Sequence, residues 1–80
     1  MNKKLVLYYF DSCPFCQVVL KVLETEFKTT PVIRANILKE PKHKAALLAI
    51  GGKTQVPCLV IDGQPLYESQ DIITWLRDNA

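Results

Sequence analysis

Residues 5–27, LVLYYFDSCPFCQVVLKVLETEF, decide how this chain is read. The apolar run 5–10 follows Lys3 and Lys4, and segment 3–10 predicts a strand buried on both faces, as in a sheet covered by helices. Asp11 and Ser12 break the run. Either suits the N-cap of a following helix, with Pro14 in its first turn. From Cys16 onward, Val19, Leu20, Leu23 and Phe27 recur at three- and four-residue spacing, with Lys21, Glu24 and Lys28 on another side. That pattern predicts a helix with one buried stripe, ending near residues 28–31. Cys13 and Cys16 therefore fall at a strand–helix junction. Backbone N–H groups at a helix start lack intrahelical partners and the macrodipole favours negative charge there. A thiolate is such a charge, and it is the reactive form of cysteine.

Working outward, Val32 and Ile33 open a short second strand over 32–36, bounded by Pro31. Strand, long helix, strand is a βαβ unit, which implies parallel strands and a right-handed crossover. Pro41 starts a second helix over 41–50, with Ala45, Leu48 and Ala49 as inward residues, and Gly51-Gly52 stops it. Residues 58–61 (CLVI) predict a third strand, Asp62-Gly63 a hairpin turn, and 65–67 a fourth strand near an edge, where its proline is tolerated. Ser69 is the expected N-cap of a last helix through about Asp78, with Ile72, Ile73, Trp75 and Leu76 on its apolar side. The expected fold class is α/β: a four-stranded mixed sheet flanked by three helices in the order βαβ-α-ββα, one domain over 1–80.

Composition narrows the function. Eighty residues, about half of them apolar, suit one small globule. A net charge of +2 with no basic cluster interleaved with aromatics argues against a nucleic-acid partner. Met1-Asn2-Lys3-Lys4 and six apolar residues are too short for a signal-peptide core, and no run reaches membrane-spanning length. A soluble, cytoplasmic chain without a membrane partner is expected, and a monomer. Three cysteines are an odd count, unlike the disulfide framework of a small secreted protein. In a reducing compartment a Cys-x-x-Cys pair reads as catalytic or metal-binding, and after the first strand of a βαβ unit it reads as redox-active.

Cys13-Pro14-Phe15-Cys16 after strand one, Gln55-Val56-Pro57 before strand three and Glu68-Ser69-Gln70-Asp71 at the last helix together resemble the glutaredoxins. They resemble most those whose fold is shared with the N-terminal glutathione-binding domain of glutathione S-transferases. The resemblance covers essentially the whole chain and implies a thioredoxin-like fold with glutathione-dependent thiol–disulfide exchange. It implies that Cys13 is the nucleophile, Cys16 the resolving thiol and Pro57 the cis-proline. The backbone of Val56 would pair with the cysteinyl part of glutathione, and Glu68 and Ser69 would hold its γ-glutamyl group. Three positions depart from the common glutaredoxin pattern. Phe15 stands where tyrosine is frequent and Gln55 where threonine is frequent. Tyr67-Glu68-Ser69-Gln70 replaces a Gly-Gly loop, which tilts the resemblance towards the transferase branch.

Exchange chemistry needs an exposed thiol with a pKa lowered to ~3.5–7.5 from the ~8.5 of free cysteine. Cys13, ahead of the helix, should be the more exposed sulfur, and Cys16, one turn in, the resolving one. Glutathione, the expected reductant and co-substrate, would add to the chain as an extended peptide beside Val56, serving glutathionylated or disulfide-bonded protein partners. Ser69 at a helix start suits one of its carboxylates, and Lys53 and Gln55 are candidates for the glycyl one. Phe15, between the two thiols, is expected to be exposed and to meet substrate.

No metal is expected. A zinc set of Cys13, Cys16, Cys58 and His43 can be assembled on paper, but zinc ligands usually come as paired local knuckles. An iron–sulfur cluster shared between two copies is known among glutaredoxins as a family and stays an alternative. So does the role of a glutathione-binding domain of a transferase. Cys58 reads as an inert core thiol, and His43 as a surface residue.

Overall fold

The computed structural model describes residues 3–80; Met1 and Asn2, part of the expected N-terminal segment and domain, lie outside them. Seven elements run in the order β1 (Leu5–Tyr9), α1 (Pro14–Glu26), β2 (Ile33–Asn36), α2 (Pro41–Gly51), β3 (Cys58–Ile61), β4 (Gln64–Tyr67) and α3 (Ser69–Asn79). The sheet order is β2-β1-β3-β4, with β1 parallel to β2 and antiparallel to β3, and β3 antiparallel to β4. The expected mixed sheet with helices on both faces is therefore present. No helix among the described residues is long and apolar enough to cross a membrane.

Alternation along β1 divides the core in two. Leu5 and Leu7 pack with Val19, Leu20 and Leu23 of α1 and Ile72, Ile73 and Leu76 of α3, and Tyr9 and Trp75 lean on this cluster half-buried. Tyr8 points the other way, into a second cluster with Ala35, Ile37, Leu47, Cys58 and Val60. A central strand with cores on both sides explains why residues 5–10 show no polar alternation.

Asp62 and Gly63 both have positive φ (47° and 87°), the primed-turn geometry that joins two strands without splaying them. The Asp62 carboxylate also accepts the Lys4 backbone N–H at 2.8 Å, pinning the start of β1 to the hairpin. Both β2 and β4 are edge strands, and Pro65 lies on β4.

Three expectations need correction. Neither Asp11 nor Ser12 caps α1. Cys13 does, because its φ/ψ of −86°/113° is extended and its own sulfur reaches the first-turn N–H of Cys16. In α2 the inward residue is Leu47, while Ala45, Leu48 and Ala49 are exposed, Leu48 by 52%. The run AALLAI covers more than half of the helix circumference, so its pattern names no single face. Finally, Ser69 is the first residue of α3 and Glu68 takes the cap position, with no side-chain cap bond.

Candidate functional site

Antiparallel pairing brings distant segments to one end of the sheet. The C-terminal end of β1, the N-terminal end of β3 and the C-terminal end of β4 meet there, in the register Tyr8↔Cys58↔Tyr67. Attached to those three ends are the Cys13–Cys16 turn, the Gln55-Val56-Pro57 segment and Glu68-Ser69. Topology alone thus converges three motifs, the first and last of which lie more than fifty residues apart in sequence.

The dithiol turn is held at several points. Cys13 N–H donates to the Phe10 carbonyl (3.3 Å), and Gln17 N–H to the Cys13 carbonyl (3.0 Å), the first bond of α1. The Gln17 side chain donates to the Asp11 carbonyl at 2.7 Å, and the Asn36 amide donates to the Asp11 carboxylate at 3.4 Å. Asn36 is buried at the end of β2, and its Oδ1 accepts the Leu38 and Lys39 N–H groups. Asp11, Gln17 and Asn36 carry no motif; the only sequence signal was an asparagine closing a strand, where such residues organise turns.

All three cysteines are free thiols. Cys16 N–H donates to Cys13 Sγ at 3.3 Å, so charge on that sulfur is met by a helix-start amide and the macrodipole. Cys13 is the more exposed of the two, as expected, but by little: it is 7% exposed against 0% for Cys16, its sulfur folding back over the first turn. Burial, then the hydrogen bond and charge of Cys13, push the Cys16 thiol up to about 12. Cys58 is fully buried, and burial pushes its thiol up as well.

A cleft of about 360 Å³ opens beside the dithiol, lined by Phe15, Gln55, Val56, Pro57, Glu68, Ser69 and Gln70. Phe15 is 65% exposed and joins the cleft to the turn; neither thiol lines it. The Val56–Pro57 peptide bond is cis. Gln55 Nε2 donates to Glu68 Oε1 at 3.4 Å across the cleft. Glu68 has φ 70° and ψ 121°, a conformation that costs an L-residue on the order of 1–3 kcal/mol. The uncapped first turn of α3 begins at the cleft wall, where its N–H groups suit an anion. Gln70 is the wall residue that sequence reasoning missed; its place in the first turn of α3 was the available signal.

Lys53 is not at the cleft. Its Nζ sits 4.3 Å from the centroid of the Tyr67 ring. His43 is half-buried on α2, its Nε2 3.0 Å from Glu40 Oε2. Among the described residues no three His, Cys, Asp or Glu side chains gather as a metal set.

A family model described as "Glutathione S-transferase, N-terminal domain" matches residues 7–80. No curated protein sequence matches the chain significantly. Among solved structures, the thioredoxin-like protein BC3987 superposes with a TM-score of 0.76 at 24% identity, covering 94% of this chain and 97% of that one. A buckwheat glutaredoxin–glutathione complex gives 0.69 at 23% identity, covering 95% and 70%. Oxidized glutaredoxin 2 from Chlamydomonas reinhardtii gives 0.67 at 22% identity, covering 95% and 73%. The fold is thioredoxin-like.

Proposed function

The chain belongs to the glutathione S-transferase N-terminal domain family, and from that membership we propose that it is a glutathione-dependent thiol–disulfide oxidoreductase. The observation that carries the reading is the cleft itself: Phe15 from the dithiol turn, the Gln55-Val56-Pro57 segment and the start of α3 share one wall-to-wall space. A tripeptide with a carboxylate at each end fits such a site. One carboxylate meets the uncapped N–H groups of α3, and the peptide backbone runs along Val56, whose neighbouring cis-proline turns the chain at the cleft.

Cys13 is the attacking thiol. Its thiolate attacks the glutathione sulfur of a mixed disulfide; the partner's thiolate leaves and takes up a proton. A second glutathione thiolate then attacks the Cys13–glutathione bond, giving oxidised glutathione and free Cys13. Alternatively Cys16 loses its proton and attacks Cys13, closing an intramolecular disulfide and releasing glutathione. Burial, the largest cause of the raised Cys16 pKa, does not depend on the state of Cys13 and makes Cys16 a poor nucleophile at neutral pH, which supports the one-thiol route.

The test couples reduction of a small glutathione mixed disulfide to glutathione reductase, and runs beside it conjugation of glutathione to an electrophilic aromatic. Wild type should turn over the disulfide, Cys13→Ser should not, and Cys16→Ser should keep most of the rate. Family membership itself favours a second reading, glutathione conjugation. Conjugation without disulfide turnover would establish that reading and overturn the first.

A further inference from the structure

Lys53 lies two residues before Gln55, the first residue of the cleft wall 55–57, and its ammonium rests on Tyr67. Tyr67 ends β4 opposite Cys58, and the next residue, Glu68, is the facing wall. The Tyr67 hydroxyl is buried and is pressed against the end of α2, where a Cβ on Gly51 would collide with it. One ring therefore touches the end of α2, carries the Lys53 ammonium two residues ahead of one wall and leads directly into the other. Gly52, at φ 74°, ends α2 in the left-handed conformation from which the segment leaves.

We propose that Lys53 and Tyr67 form a positioning clamp that sets the spacing of the two cleft walls, so that Gln55 faces Glu68 before ligand arrives. The ammonium over the ring face is attracted by the ring quadrupole, and the contact removes loop conformations that binding would otherwise have to remove. Lys53 thus acts through Tyr67 and not as a partner of the ligand's carboxylate. The inference rests on the glutathione reading only for the identity of its ligand.

The probes are S-methylglutathione, which cannot exchange, and its analogue lacking glycine, titrated by calorimetry. Lys53→Met should weaken both ligands equally, by about two- to five-fold, the range of a partly exposed cation–π contact. Lys53→Arg should restore wild-type binding. Tyr67→Leu should show the same loss, and adding Lys53→Met to it should cost nothing more. A loss confined to the glycine-containing ligand would mean direct carboxylate binding and overturn the clamp, as would additive losses or none. Should Tyr67→Leu not fold, the ligand pair on Lys53→Met decides alone. Wild type that fails to bind either probe sinks the glutathione reading, and the clamp is then judged on amide hydrogen exchange at Gln55 and Val56. Lys53→Met should speed that exchange about two- to five-fold, and unchanged exchange overturns the clamp.

Discussion

Alkylation of Cys16 tests the role split most directly. In Cys13→Ser the competing nucleophile is gone, and with it the Cys13 hydrogen bond and charge that add to burial in raising the Cys16 pKa, so the wild-type value of about 12 is the upper bound there. At that bound the thiolate fraction at pH 7.5 is about 3 × 10⁻⁵, against roughly 0.1 for a free cysteine near 8.5. That is a deficit of about 3,000-fold. A more basic thiolate is intrinsically more nucleophilic, and a Brønsted slope near 0.45 over about 3.5 units returns roughly 40-fold. The expected iodoacetamide rate at Cys16 is therefore below that of a free cysteine by up to about 80-fold from protonation, before any loss from its zero exposure. The rate should climb about tenfold per pH unit through pH 10, since the thiol is still mostly protonated there. Peptide mapping by mass spectrometry separates Cys16 from Cys58. A Cys16 rate that levels off near pH 8 or 9 would refute the reasoning and admit Cys16 as a ready nucleophile.

Folding stability should fall with alkali. The raised Cys16 pKa favours the neutral thiol in the folded state, so its contribution is complete below the unfolded value near 8.5 and is lost as pH rises towards 12; urea titrations from pH 7 to 10 should show a shallower decline in Cys16→Ser. Leu47→Ala removes the buried residue of α2 and should cost about 2–4 kcal/mol by urea denaturation, with faster hydrogen exchange in α2 than in α1. Glu68→Gly should raise stability by about 1 kcal/mol, because glycine accepts φ 70° freely, while weakening glutathione binding; a destabilised protein would show that the backbone there is not strained. Asn36→Ala should slow disulfide turnover several-fold through kcat with little change in KM, because it loosens the Asp11 side of the dithiol turn and not the cleft.

The central strands β1 and β3 were legible because two-sided burial writes itself into composition, and the β3–β4 hairpin because of its Asp-Gly turn. The dithiol and its helix were legible because Val19, Leu20 and Leu23 carry one unambiguous stripe. The face of α2 was not, since Ala and Leu surround it and only packing against Ala35, Ile37 and Val60 picks Leu47. The cap of α1 was missed for a different reason: Asp11 and Ser12 are better caps by residue type, but the turn leaves Cys13 as the extended residue. Lys53 was drawn towards the cleft by its charge and its closeness in sequence to Gln55. A cation's position depends on which aromatic face is near, and that face belongs to β4.

The two helices that start at this end of the sheet use their N-termini differently, and the difference bears on the chemistry. In α1 the first-turn N–H of Cys16 is met by the protein's own sulfur, Cys13 Sγ, and a proline occupies the position where a free donor would be idle. In α3 no side chain caps the first turn, and the cap residue Glu68 is held in a costly backbone conformation that leaves it in the cleft wall. A fold seeking stability alone would place serine at the cap and glycine at the positive φ, each worth about 1 kcal/mol. Here serine stands one residue late and glutamate sits at the strained position. Such local losses persist where the surrounding structure over-determines them, and they cluster at functional sites. On the proposed reading, α1 serves a charge the protein generates on itself and α3 a charge the ligand brings. The spacing between those two helix starts then decides which disulfide sulfur meets Cys13.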